Sequence, residues 1–110
     1  MPDKGQLISE AFQVFLKESP QHAAAWMAVV QGLGKASVLD PKTQALAYLA
    51  VLAALGMESG VPFHAAHAKE VGASREEVIS AVLVGLPAAG SGVTKVLPAA
   101  LHAFDQEQSQ

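Results

Sequence analysis

Two histidines three residues apart, His64 and His67, follow a Ser-Gly break in the stretch GMESGVPFHAAH at 56–67. An imidazole can ligate a metal, pass a proton near neutral pH, or sit hydrogen-bonded in a core. On a helix, His64 shares its face with Val61, Ala68 and Val71, whereas His67 lies with Phe63 and Glu70. The two rings therefore meet different surroundings, His64 on the apolar side and His67 nearer the edge. A metal-dependent enzyme would need both rings and a further ligand to converge. Glu58 and Glu70 are the nearby carboxylates, and this spacing matches no zinc signature. No metal site and no cofactor are expected. His22 and His102 stand apart as structural or surface residues. For His64, spacing leaves two readings open: a hydrogen-bonded core histidine, or a general acid or base tuned by burial.

The elements that must position these rings are helices. Ala and Leu dominate, and no stretch alternates β-branched with polar residues over a strand's length. A first helix is predicted over 6–18, with Leu7, Ala11, Val14 and Phe15 as its stripe. Ser19 caps a second, with Pro20 at its first position, Trp26, Met27 and Val30 on its inner side, and the Gly32 and Gly34 pair at its end. Asp40-Pro41 opens a third over 41–57, apolar nearly all round and so expected at the centre of a fold or an assembly. A fourth starts after Gly60, with Pro62 in its first turn, and stops at Gly72. Ser74 and Glu77 form a capping box for a fifth, which Pro87 ends or kinks near Leu86. A last helix spans 93–106 with Pro98 near its start, and the DQEQSQ tail is expected to fray. Ser59-Gly60-Val61 recurs as Ser91-Gly92-Val93, each a break between helices.

The chain has 110 residues, the size of one compact domain, so 1–110 is read as a single domain of about six helices. With 51% hydrophobic residues and a mean hydropathy of +0.30, so small a globule would struggle to hide its apolar surface, which favours a homo-oligomer. The longest apolar run, 45–57, falls well short of the roughly 20 residues that cross a bilayer. A polar N-terminus without a signal-peptide pattern adds the expectation of a cytoplasmic protein with no membrane partner. Seven Lys+Arg against ten Asp+Glu, scattered, offer no basic stripe, so no nucleic-acid partner is expected. The absence of cysteine excludes disulfides, thiolate metal sites and thiol redox chemistry by this chain.

Taken together, LDPKTQALAYLAVLAALG, FHAAHAKEVGASREEV and the chain length resemble the carboxymuconolactone decarboxylase family, which includes the alkylhydroperoxidase-D-like proteins. The most specific piece is His64 followed eight residues on by Gly72-Ala73-Ser74 and then Glu76-Glu77-Val78. The resemblance implies an all-α, alkylhydroperoxidase-D-like fold assembled as a homotrimer or homohexamer. In the peroxidase branch a glutamate in the long helix and a Cys-x-x-Cys pair accompany the histidine; those positions fall on Ala45, Met57 and Gly60 here. Neither Met nor Gly can attack a peroxide or resolve a sulfenic acid, so thiol peroxidase chemistry by that route is excluded.

The decarboxylase branch also lacks the cysteine pair and is the nearer likeness. It implies a cofactor-free decarboxylase or other lyase-type enzyme acting on a small carboxylic acid, with His64 as the proton donor or acceptor. Gln44 precedes the vacated Ala45 and Tyr48 follows one turn later, so these two polar residues are the candidates to compensate. Tyr48 reads either as an amphipathic core aromatic or as a pocket residue that fixes the imidazole's tautomer. The enzyme reading predicts a cavity beside His64, lined by Tyr48, Met57 and Trp26, with Gln44 and His67 as further substrate-binding candidates. Arg75, the only arginine, is a weaker candidate for a substrate carboxylate because it belongs most simply to a solvated first turn. The alternative is a catalytically silent family member that keeps the helical oligomer as a binding or scaffold module.

Overall fold

A computed structural model of the protein describes residues 7–106. Among them there are helices and no strands. They group into two compact units, Ser9–Leu39 and residues 40–106 with 7–8. What the sequence leads one to expect of residue 6 and of the tail past 106 lies outside the described residues.

The Ser9–Leu39 unit is a pair of helices, α1 (Glu10–Glu18) and α2 (Pro20–Ala36). The Ser9 hydroxyl accepts from the Phe12 N–H and caps α1, so the helix starts later than its apolar pattern suggests. Ser19 does stand before Pro20, yet its hydroxyl engages the His22 ring instead of capping α2. The Gly32 and Gly34 pair does not end α2. Neither glycine takes a positive φ, and the helix continues through Lys35 and Ala36 until Ser37 donates to the Leu33 and Gly34 carbonyls. Trp26, Met27 and Val30, expected inside, are exposed, and so is Val14 on α1. Ala23 is the buried side chain of this unit. Periodicity marks an apolar stripe but does not supply the surface that would cover it.

The larger unit holds the core. Asp40 caps α3 (Pro41–Leu55) by accepting from the Thr43 N–H and hydroxyl, with Pro41 supplying a helical φ where no N–H is needed. Those hydrogen bonds hold the Asp40 carboxyl below the usual carboxylate range. A short 3-10 turn at Glu58–Gly60 leads into α4 (Val61–Glu70). Next come α5 (Arg75–Leu83), the four-residue α6 (Leu86–Ala89), a second 3-10 turn at Ser91–Val96, and α7 (Leu97–Asp105). The expected capping box is present in both directions: Ser74 Oγ accepts from the Glu77 N–H, and the Glu77 carboxylate accepts from the Ser74 N–H. Pro87 does not close α5, which ends at Leu83; it sits in the first turn of α6, where its missing N–H costs nothing. The last helix likewise begins at Leu97, preceded by the 3-10 turn. The repeated Ser-Gly-Val motif is in both places part of a 3-10 break that feeds a helix with proline in its first turn.

Leu49, Leu52 and Ala53 of α3 meet Val61, Ala65 and Ala68 of α4, Val78 and Val82 of α5, and Ala100 and Ala103 of α7 in one continuous apolar cluster. Alanines on the facing sides of α4 and α7 let those two helices pack closely. The single chain encloses α3 on one side only. One face is buried through Ala45, Leu49, Leu52 and Ala53, while Tyr48, Val51 and Leu55 are exposed. No helix of the described residues is long and apolar enough to cross a membrane.

Candidate functional site

Gly56 takes the left-handed conformation, φ 68 and ψ 27, and its N–H and that of Met57 donate to the Ala53 and Leu52 carbonyls to close α3. Because a side chain is strained at that φ, glycine suits this reversal. The chain turns back through Glu58–Gly60, where Gly60 packs on the Leu52 side chain at 3.6 Å from the position a Cβ would hold. Val61 then starts α4 with Pro62 next to it, and the first turn of α4 carries His64 back to the side of α3 that bears Tyr48.

The result is a ring cluster. His64 and Tyr48 stack with centroids 4.3 Å apart and planes 25° apart, and Phe63 meets the imidazole edge-on at 5.2 Å and 76°. His64 is half-buried, whereas Tyr48 is 48% exposed. The contact is face to face, so Tyr48 positions the imidazole through its π face, not in the manner expected of a hydroxyl that fixes a tautomer. Phe63, assigned from spacing to the face of His67, thus serves His64 as well.

The remaining candidates are divided. Gln44 is half-buried one turn before Tyr48, on the same side of α3. Met57 is half-exposed past the end of α3. Trp26 belongs to α2 of the other unit and is 53% exposed. His67 is half-buried, with its Nδ1 3.7 Å from Glu70 Oε1, an ion pair when the ring is protonated. Among the described residues, no three His, Asp or Glu side chains come together as a metal-binding group. Ala45 is buried in the apolar cluster.

A cavity of about 480 Å³ lies on a different flank of α3, and none of the expected pocket residues lines it. Thr43, Ala47 and Ala50 of α3 face Ser80, Ala81 and Val84 of α5 across it, with Glu76 and Glu77 also in its wall. Sequence reasoning missed this trough. The readable signal was small residues at the i, i+4, i+7 positions 43, 47 and 50, which leave a helix face unfilled. Glu77 is held below the usual carboxylate range by the Ser74 N–H and by Lys42, whose ammonium donates to it at 3.0 Å.

The cationic groups near the helix ends are engaged structurally. Arg75 donates from Nε and Nη2 to both carboxylate oxygens of Asp105, at 3.0 and 3.1 Å. This bidentate pair raises the guanidinium pKa and lowers that of Asp105. Arg75 therefore points to α7, away from the role of substrate anchor. Lys69 donates to the Phe104 carbonyl at 2.8 Å and lies 5.0 Å over the Phe104 ring, so it too secures the end of α7.

A sequence model of the carboxymuconolactone decarboxylase family matches residues 20–106. Among curated proteins and among solved structures, none matches the chain.

Proposed function

Because the chain belongs to the carboxymuconolactone decarboxylase family, we propose that His64 is the proton donor or acceptor of a cofactor-free, decarboxylase-like lyase acting on a small carboxylic acid. The observation that carries this reading is the Tyr48–His64 stack. It presents a partly buried imidazole with its orientation set by two aromatic neighbours. When a carboxylate leaves as carbon dioxide, the bonding pair stays on the carbon behind it, and that carbon needs a proton. The imidazolium form of His64 is suited to deliver one. The face of Tyr48 is an electron-rich surface that accommodates a cation, which takes over part of the work of the missing glutamate. Ala45 leaves no second carboxylate to repel an acidic substrate. Exposed apolar side chains on α2 and α3 support assembly as a homo-oligomer, a trimer or hexamer.

The test is nitrogen NMR of the histidine rings in the full chain, with His64→Gln to assign the signal, titrated with succinate and a monocarboxylic acid. A ring held in one tautomer whose signals move on addition of acid supports the reading. A freely exchanging ring that ignores both acids overturns it.

One finding favours a second reading, a catalytically silent binding or scaffold member: the 480 Å³ cavity lies on the α3/α5 flank and His64 is not among its lining residues. In that case the same acids leave His64 unmoved, while signals of Ser80 and Ala81 respond to small apolar ligands.

A further inference from the structure

At the start of α2 a hydroxyl stands beside a base. Ser19 Oγ lies 2.5 Å from His22 Nδ1, with the serine half-buried and the imidazole exposed. Because the hydroxyl engages this ring, no side chain caps α2, and Pro20 at its first position has no N–H. The main-chain N–H groups of Gln21 and His22 are thus left without a helical partner, at the positive end of a seventeen-residue helix. We propose that Ser19 and His22 form an esterolytic pair that cleaves small, uncharged carboxylic esters through an acyl-serine.

In the tautomer with its proton on Nε2, His22 Nδ1 accepts from the Ser19 hydroxyl, the arrangement that activates a serine. The oxygen bonds to the ester carbon as its proton passes to Nδ1, and the carbonyl electron pair moves onto oxygen, where the Gln21 and His22 N–H groups stabilise it. Collapse expels the alkoxide, which takes the proton back from His22. Water then attacks the acyl-serine and gives a proton to Nδ1, so the acid leaves and Ser19 regains its hydrogen. One ester and one water yield one acid and one alcohol, with no further reactant. A helix end alone would hold only an anion; the hydroxyl–imidazole contact adds the bond-forming atom and its base. Trp26, one turn beyond His22 on the same side of α2 and 53% exposed, offers its indole to an apolar acyl group. Among the described residues no carboxylate orients the His22 ring, so the gain over Ser19 alone is expected to be about a hundredfold or less, the low end of general-base catalysis. The pair lies wholly within the Ser9–Leu39 unit and does not depend on His64.

The test treats the full chain with a fluorophosphonate, whose phosphorus takes a serine oxygen and releases fluoride, and maps the stable adduct by peptide mass spectrometry. Ser19 is expected to be labelled at least about tenfold faster than Ser9, the serine at the start of α1, whose oxygen is committed to a cap. His22→Gln is expected to bring Ser19 down to the rate of Ser9. Added imidazole is expected to restore labelling in His22→Ala, a rescue that a merely structural histidine would not permit. Hydrolysis of phenyl acetate is expected to fall about tenfold in Ser19→Ala, which keeps its fold by circular dichroism because Ser19 caps nothing. Equal labelling of Ser19 and Ser9, or a His22→Gln chain labelled like the unmodified one, overturns the pair. So does nitrogen NMR that finds the His22 proton fixed on Nδ1. None of these readouts involves His64, so this proposal and the carboxylic acid titration fail separately.

Discussion

One flank of α3 carries Tyr48 stacked on His64, and another carries Thr43, Ala47 and Ala50 facing α5 across an open trough. Both belong to the same fifteen-residue helix and both border the same core. The difference is side-chain volume. Where the helix presents a tyrosine and its neighbour a histidine, space is filled and a group able to move a proton is held in place. Where it presents alanines, space is left and the titratable neighbours are carboxylates. Ring packing and open volume thus occupy different sides of one element, and the trough's wall includes the carboxylates Glu76 and Glu77.

Leu49 is the fully buried α3 side chain of the core beneath both flanks. Leu49→Ala is expected to cost about 2–5 kcal/mol in urea denaturation, with the larger value if the cavity fails to collapse. A loss under about 1 kcal/mol would show that the two flanks do not share a spine. Ser80→Trp fills the trough from the α5 side and leaves Tyr48 and His64 unaltered. The response of His64 to succinate is expected to survive it, whereas a ligand seated in the trough would lose at least about tenfold, or about 1.4 kcal/mol, in calorimetric affinity. Ser74→Ala removes the hydroxyl half of the capping box at the trough's end and is expected to cost about 1 kcal/mol, read again by denaturation, leaving the His64 ring signals in place.

The smallest effect concerns acid. Glu77 and Asp105 both titrate lower in the folded chain than in the unfolded one. Their contribution to stability is therefore complete above the ordinary carboxylate range, near pH 4, and is lost as pH falls through and below it. Both are solvent-exposed, so the slope is modest and weakens with salt. Comparing denaturation midpoints between pH 6 and pH 3, Asp105→Asn is expected to flatten the acid limb. An unchanged limb would mean that the Arg75–Asp105 fork does not hold in solution.

Helix starts were the most legible part of this chain, because a cap is a local transaction: Asp40-Pro41 and Ser74-x-x-Glu77 satisfy their own backbone groups within one turn. Helix ends and faces were less so. The Gly32 and Gly34 pair looks like a stop, yet glycine ends a helix only when it adopts a positive φ, and Leu33, Lys35 and Ala36 keep the backbone helical. The inward placement of Trp26 failed because its stripe needs a partner surface that no stripe encodes. At the site, His64 was singled out by its family motif and Tyr48 by its solitude in an apolar run. Their mode of contact was not readable, since a stack and a hydroxyl hydrogen bond demand the same two residues at the same separation. The trough escaped notice because absence of volume leaves only a row of small residues.

The left-handed Gly56 has a consequence for how the protein comes into being. Tyr48 and His64 are sixteen positions apart and joined by a tight reversal, so their meeting closes a short loop with little entropy to overcome. Contacts of such short range are the ones a chain samples first. The ring stack is accordingly expected to form within an α3–α4 hairpin before α7 arrives to complete the core, with Gly56→Ala slowing refolding and Ala103→Gly chiefly hastening unfolding. A ring pair joined by its own hairpin depends little on the helices that pack against it later.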